Sequence, residues 1–214
     1  MPFPNFDLET PLLAKGFSVI GVDEVGRGCL AGPLFVCAVT LKPEITAKDF
    51  SWILKLGIND SKKLFPHKRL QLKPELDKIF HYAFGASSVV AINKSGIVKA
   101  TKQAIRCAVT TLITATNPTN PYLLADAFYT KYVRGIGLKN QKAIIHGDCL
   151  SITIAAASII AKVERDAFME KLSVQFPHYK WAQNKGYGTK DHREAIEEFG
   201  VNKHHRTLFI RKIA

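Results

Sequence analysis

Between Lys94 and Lys142 the chain carries eight Lys and Arg but a single acid, Asp126, and that acid is set among Leu123, Leu124, Ala125, Ala127 and Phe128. A carboxylate on an apolar strand is costly to take out of water, so the fold must bring it a base or a metal ion. The residues alone leave both open. A second acid site is the pair Asp23-Glu24, at the end of an apolar run and directly before Val25-Gly26-Arg27-Gly28. Neighbouring residues of a regular strand face opposite ways, so both carboxylates reach one site only if the strand ends or bulges there, which the glycines permit. The plainer alternative is one buried and one solvated acid beside a hairpin turn. Asp148 lies shortly before an apolar helix, where the helix dipole favours negative charge, and an ordinary helix-start acid is its simplest explanation.

The pattern around these acids predicts the elements that carry them. Residues 17–41 cluster β-formers around a Gly-rich centre, which predicts a hairpin. A basic helix is expected over Pro66 to Phe80, a strand over Tyr82 to Ile92, and an amphipathic helix over about Gly96 to Ala115. Asn117 to Pro121 reads as a break, followed by strands at Tyr122 to Phe128 and Lys142 to His146 with a Gly-containing loop between them. From Ser151 on, Ile152, Ala155, Ala156, Ile159, Ile160, Val163 and Ala167 recur at the spacing of one helical face, with side chains small enough to lie close to a sheet. A helix at about Lys190 to Phe199 should stop at Gly200, before a basic, His-rich tail over residues 203–214. Strands, then alternating helices and strands, then helices alone predict an α/β sheet between helices with a helical C-terminal addition. The expected division is a domain over residues 1–176 and an appended segment over 177–214.

The chain has 214 residues, enough for one ordinary domain, and 30 Lys and Arg against 18 Asp and Glu give a net charge of +12. That balance favours a polyanionic partner such as nucleic acid. The longest apolar run, around Ile152 to Ala161, falls well short of the roughly 18 residues of a membrane helix, and the first 15 residues show no secretory signal, so the expected compartment is the cytoplasm. Cys29, Cys37, Cys107 and Cys149 are scattered singly and should be reduced and mostly buried, and neither they nor the seven His have zinc-ligand spacing. A basic protein that cuts a polyanion needs divalent cations held by clustered carboxylates, which makes the position of each acid the central question.

In order along the chain, Gly21-Val-Asp-Glu-Val-Gly-Arg-Gly28 with Ala31-Gly32-Pro33, Asn59-Asp-Ser-Lys-Lys-Leu64, Gly147-Asp148 with Ala155 to Val163 and Arg165-Asp166, Lys185-Gly-Tyr-Gly-Thr189, and His204-His-Arg206 resemble the ribonuclease HII family. The resemblance covers nearly the whole chain. It implies a ribonuclease H-like fold, a mixed β-sheet flanked by helices with a small helical C-terminal segment. It further implies cleavage of the RNA strand of RNA/DNA hybrids and of DNA containing a single ribonucleotide, leaving 3′-hydroxyl and 5′-phosphate ends. By the same resemblance Asp23, Glu24, Asp126 and Asp148 are the catalytic, metal-binding acids, for two Mg²⁺ or Mn²⁺ ions. Gly26, Arg27 and Gly28 would contact the ribonucleotide, and Tyr187 would stack on the neighbouring deoxyribose and touch the 2′-hydroxyl. Lys62, Lys63, Lys185 and Arg206 are the expected phosphate contacts, with Ser61 adding a hydroxyl.

Two positions depart from the family pattern: Ala127 follows the third acid where Gly is common, and His146 precedes Gly147-Asp148 where Lys is common. The first should narrow backbone freedom and the second removes a fixed positive charge. The sister family, ribonuclease HIII, usually carries another residue where Arg27 stands. Two other functions compete. A basic binding module without catalysis accounts for the charge but not for Asp126 or Asp23-Glu24. Another metal nuclease on a ribonuclease H-like sheet would share the acids but need no ribose-sensing Gly-Arg-Gly and Tyr187. No assembly interface or sliding-clamp contact is legible in the sequence, and a monomer is the default.

Overall fold

The computed structural model describes residues 3–127 and 129–210. Phe128, the last residue of the strand expected over Tyr122 to Phe128, and residues 211–214 of the basic tail lie outside the described residues. A short helix α1 (Thr10–Ala14) leads into β1 (Ser18–Val25) and β2 (Leu34–Leu41), the expected hairpin. Then come α2 (Phe50–Lys55), α3 (Pro66–Ile79), β3 (Phe80–Ser87), α4 (Val89–Ser95) and α5 (Ile97–Thr116). After β4 (Pro121–Asp126) and β5 (Gln141–Ile144) the chain is helical, with α6 (Ile152–Gln175), α7 (Trp181–Asn184), α8 (Lys190–Phe199) and α9 (Thr207–Ile210).

The strands form one mixed sheet in the order β3-β2-β1-β4-β5, antiparallel across the first three and parallel from β1 to β5. Alternation along β1 and β2 divides the core in two. Ile20, Val22, Val36 and Ala38 meet α5, whereas Cys37 and Val39 meet α3 and the alanines of α6. Every residue from Ile152 to Ala161 is buried, so the first half of α6 is covered on all sides rather than along one stripe. Its Ala155-Ala156-Ala157 run lets it lie against the sheet, as the small side chains predict.

The strand expected over Tyr82 to Ile92 is shorter at its far end. β3 stops at Ser87, where Ser88 turns the chain and its hydroxyl accepts from the Ala91 N–H (3.2 Å), so Val89 to Ile92 enter a helix. A Ser N-cap outweighs the β-preference of two valines there. At the far end of α6, Tyr179 of the 3-10 turn Pro177–Tyr179, Trp181 of α7 and Ala195 of α8 are buried against Met169, Leu172 and Ala31. This brings residues after 177 onto the loop between β1 and β2.

Candidate active site

The ladder between β1 and β2 runs unbroken through both acids, pairing Asp23 with Cys37 and Glu24 with Val36. The expected end or bulge at Asp23-Glu24 is therefore absent, and another feature does its work. Pairing of β1 with β4 stops at Val22 and Ala125, so β1 runs on past its parallel neighbour. Asp23 and Glu24 stand on opposite faces of β1 at this opening, and Asp126 is the last residue of β4 beside it. The carboxyl ends of parallel strands are where open α/β sheets bind ligands. Asp148 arrives from a 3-10 turn, Gly147–Cys149, just ahead of α6. That turn is tied to the third acid, since the Gly147 N–H donates to Asp126 Oδ1 (2.8 Å).

Electrostatics couple the four acids. Burial pushes the Asp23 carboxyl well above its ordinary value, and the charges of Glu24 and Asp126 push it further. Glu24 is raised by burial, opposed by Arg27 and reinforced by Asp126. Asp148 is raised by burial, then by Asp60 and Asp126. Bases are few: Arg27 lies 3.7 Å from Glu24 and Lys62 lies 3.8 Å from Asp148. Among the described residues no Lys, Arg or His ion-pairs with Asp23 or Asp126 within 4.0 Å. Of the two alternatives left open for Asp126, the described residues supply no ion-paired base, and its nearest polar contact is the Gly147 N–H. Carboxylates that raise one another's affinity for a proton, two of them without an ion-paired base among the described residues, are the donor type that hard divalent cations such as Mg²⁺ or Mn²⁺ take.

The expected substrate residues fall into two groups. Asp23, Glu24, Gly26, Arg27, Gly28, Ser61, Lys62 and Tyr187 line one cleft of about 240 Å³. Lys62 is exposed, with its ammonium beside Asp148, while Ser61 is buried with its hydroxyl accepting from Ser158 (2.9 Å). Tyr187 is about one-third exposed, shares a hydrogen bond with the Cys29 thiol, and has its hydroxyl pushed up to about 12, chiefly by burial. The glycines of Gly-Arg-Gly differ. A Cβ at Gly28 would meet open space, so its main chain can be approached by a sugar, whereas at Gly26 (φ +85°) it would run into the Arg165 guanidinium.

Three expected phosphate contacts are engaged elsewhere. Arg206 is fully buried, and its guanidinium donates to the carbonyls of Gly32 (2.9 Å) and Arg27 (3.0 Å), which corrects its assignment to a phosphate. Lys185 is folded onto Glu170 (2.5 Å) and the Ala182 carbonyl. Lys63 donates to Cys149 Sγ (3.2 Å).

The structure also adds residues that the sequence reading passed over. Asp60 and Cys149 lie with Asp148 so that one ligand atom of each falls within 4.8 Å of the others. Ser158 reaches Asp23, and Lys162 places its ammonium 5.9 Å from the Tyr187 ring. The signal was present in α6: Ser158, Lys162 and Arg165 interrupt an apolar helix at spacings of four and three, the mark of a polar stripe on one face.

A family model described as Ribonuclease HII matches residues 20–212. Ribonuclease HII of Wolbachia pipientis subsp. Culex pipiens (strain wPip) is 43% identical over 209 residues, which cover 98% of this chain and 97% of that one. Among solved structures, RNase HII from the PCNA:RNase HII complex of Archaeoglobus fulgidus superposes with a TM-score of 0.70 at 26% identity, covering 89% of this chain and 94% of that one. Bst-RNase HIII in complex with Mn²⁺ superposes with a TM-score of 0.73 at 22% identity, covering 91% and 67%, and shows the same fold.

Proposed function

This chain belongs to the ribonuclease HII family and is a ribonuclease H enzyme, and from that premise we propose that it hydrolyses the RNA strand of RNA/DNA hybrids and incises duplex DNA 5′ to a single embedded ribonucleotide. The products are 3′-hydroxyl and 5′-phosphate ends. The observation that carries this reading is the meeting, in one cleft, of base-poor carboxylates with a Gly-Arg-Gly backbone and Tyr187.

Asp23, Glu24, Asp126 and Asp148 would hold two Mg²⁺ or Mn²⁺ ions. When bound, such ions supply polarisation of the phosphate and a lowered pKa for the attacking water. The remaining work belongs to the chain. The Gly147 N–H fixes the Asp126 carboxylate through Oδ1, and the Glu24 N–H fixes that of Asp23 (2.8 Å), so both are oriented before substrate arrives. The exposed main chain at Gly28 offers polar groups to a 2′-hydroxyl, which both donates and accepts. Tyr187 lines the same cleft as that backbone, where it senses the junction of ribose and deoxyribose. Lys62 steadies Asp148 and reaches the phosphates, contacts that position a duplex without reading bases.

A duplex containing one ribonucleotide, incubated with Mg²⁺ or with EDTA, tests the reading. Cleavage 5′ to the ribonucleotide, dependent on the ion, is expected. Binding without cleavage would turn the reading into that of a binding module, and cutting of an all-DNA duplex into that of a different nuclease. We place the enzyme in the cytoplasm as a monomer, and the clamp complex of the Archaeoglobus protein makes a sliding clamp the first protein partner to test by co-elution.

A further inference from the structure

Two arginines beneath the Gly26 to Pro33 loop have no part in the chemistry above. Arg165 of α6 and Arg206 of the C-terminal segment are both 0% exposed. A guanidinium withdrawn so far from water needs acceptors for its fixed fork of N–H groups, and carboxylates are the usual ones. Here the acceptors are main-chain carbonyls. Arg165 donates through Nε to Pro33 (3.0 Å), through Nη2 to Ala31 (3.2 Å) and through Nη1 to Lys185 (2.8 Å). Arg206 donates to Gly32 and Arg27.

All five carbonyls belong to two segments, the loop carrying Gly-Arg-Gly and the turn carrying Tyr187. Main-chain bonds close the same seam: Leu30 N–H donates to the Gly186 carbonyl (2.8 Å), Gly32 N–H to that of His204 (2.9 Å), and Arg206 N–H to that of Leu30 (2.7 Å). Arg165 also fills the space at Gly26 that a side chain would need. Arg165 alone spans both segments, while both acceptors of Arg206 lie on the loop; a lysine in either place could not reproduce this, because one ammonium cannot hold several carbonyls in a planar fork.

We infer that Arg165 and Arg206 are positioning residues for ribose selection: Arg165 ties the Gly-Arg-Gly loop to the turn of Tyr187 and Arg206 pins that loop to the C-terminal segment, so together they hold in place the two elements that read the ribonucleotide. The inference rests on the function proposed above. Neither arginine touches substrate; both act through the carbonyl side of the loop, leaving its cleft side at Gly28 open.

The test compares wild type, Arg165→Lys, Arg206→Lys and Leu112→Ala below their melting temperatures, on a single-ribonucleotide duplex and on a continuous RNA/DNA hybrid. Leu112 is a buried residue of α5 in the core cluster between that helix and the sheet, which shares no residue with the seam, and serves as a destabilised comparator. Loosening the seam should lower kcat on the single ribonucleotide by at least about tenfold, because misplacing reacting groups by about 1 Å can cost a hundredfold. KM should stay within about twofold, since affinity comes mainly from phosphate contacts. The loss on the continuous hybrid should be smaller, and Leu112→Ala should leave the ratio of the two substrates unchanged.

Each arginine variant combined with Tyr187→Ala should lose less than the product of the single losses, the signature of groups acting through one step. Arg206→Gln, which carries no charge inside, replaces Arg206→Lys should the latter not fold. A wild-type enzyme that ignores the ribonucleotide would remove the proposed function itself. A selective wild type whose arginine variants keep its substrate ratio would overturn this inference alone.

Discussion

Asp23 and Arg206 are both withdrawn from water, at 6% and 0% exposure, yet their surroundings are opposite. Burial raises the affinity of Asp23 for a proton, and the neighbouring carboxylates Glu24 and Asp126 raise it further. Arg206 faces carbonyl oxygens that engage two of its three nitrogens, Nε and Nη1, while Nη2 has no partner among the described residues. The acid end of the sheet is an electrostatic deficit that a cation can fill, and the arginine seam is largely closed within the protein itself. A buried charge left short of partners marks a place where something binds, whereas one supplied by the backbone marks a joint.

The largest consequence is catalytic. Asp126→Asn should reduce cleavage by on the order of a thousandfold or more while leaving hybrid binding intact in a filter or anisotropy assay, because the duplex is held by phosphate contacts. Retained turnover would remove Asp126 from the site. The seam should respond instead in stability: Arg206→Met strands two carbonyls and should cost about 3 kcal/mol in denaturant unfolding. Asp23→Asn, in metal-free buffer, should have the opposite sign and stabilise by about 1 kcal/mol through relief of like-charge repulsion. Matching signs for the two variants would erase the distinction between the regions.

Acid titration separates the two ends again. Asp23, Glu24 and Asp148 have folded values above their unfolded ones, so in that interval the folded state binds more protons and metal-free stability falls as pH rises. His205, packed beside Arg206 in the seam, is pulled from 6.5 to about 4, mainly by burial with help from His192, and there the unfolded state binds more protons. Its contribution is complete above pH 6.5 and is lost as pH falls toward about 4. Melting curves across this window should show Asp23→Asn losing stability more steeply on acidification than wild type, and His205→Gln less steeply.

The smallest effect concerns Ala127, which holds a left-handed backbone (φ 56°) beside Asp126. Ala127→Gly should stabilise by about 0.5–1 kcal/mol, as glycine takes that conformation without a Cβ clash.

How much of this was legible in the chain follows from the same physics. Asp126 could be found because an acid amid Leu123, Leu124 and Ala125 contradicts its surroundings, and the hairpin because β-formers flank glycines. Residue types could not show how Asp23 and Glu24 share a site. The answer is that β1 outruns β4, a fact of register between distant segments. Arg206 in a basic tail reads like any solvated cation, since the carbonyls that bury it leave no trace in side-chain identity. Short helices such as α1 and α7 escaped for a related reason: Leu12 and Leu13 or Trp181 become helical by docking on the core rather than through periodicity. Ala127 was visible as a departure, but only its positive φ shows that it adopts the backbone a glycine would favour.

The central claim is that Asp23, Glu24, Asp126 and Asp148 form a base-poor cluster completed by divalent cations. Thermal melting of wild type and of the Asp23→Asn/Asp126→Asn double variant, each with EDTA and with excess Mn²⁺, tests it most directly. A ligand that binds only the folded state raises Tm, so the ion should raise that of wild type by several degrees and leave the variant unmoved. An equal rise in both proteins would contradict the account.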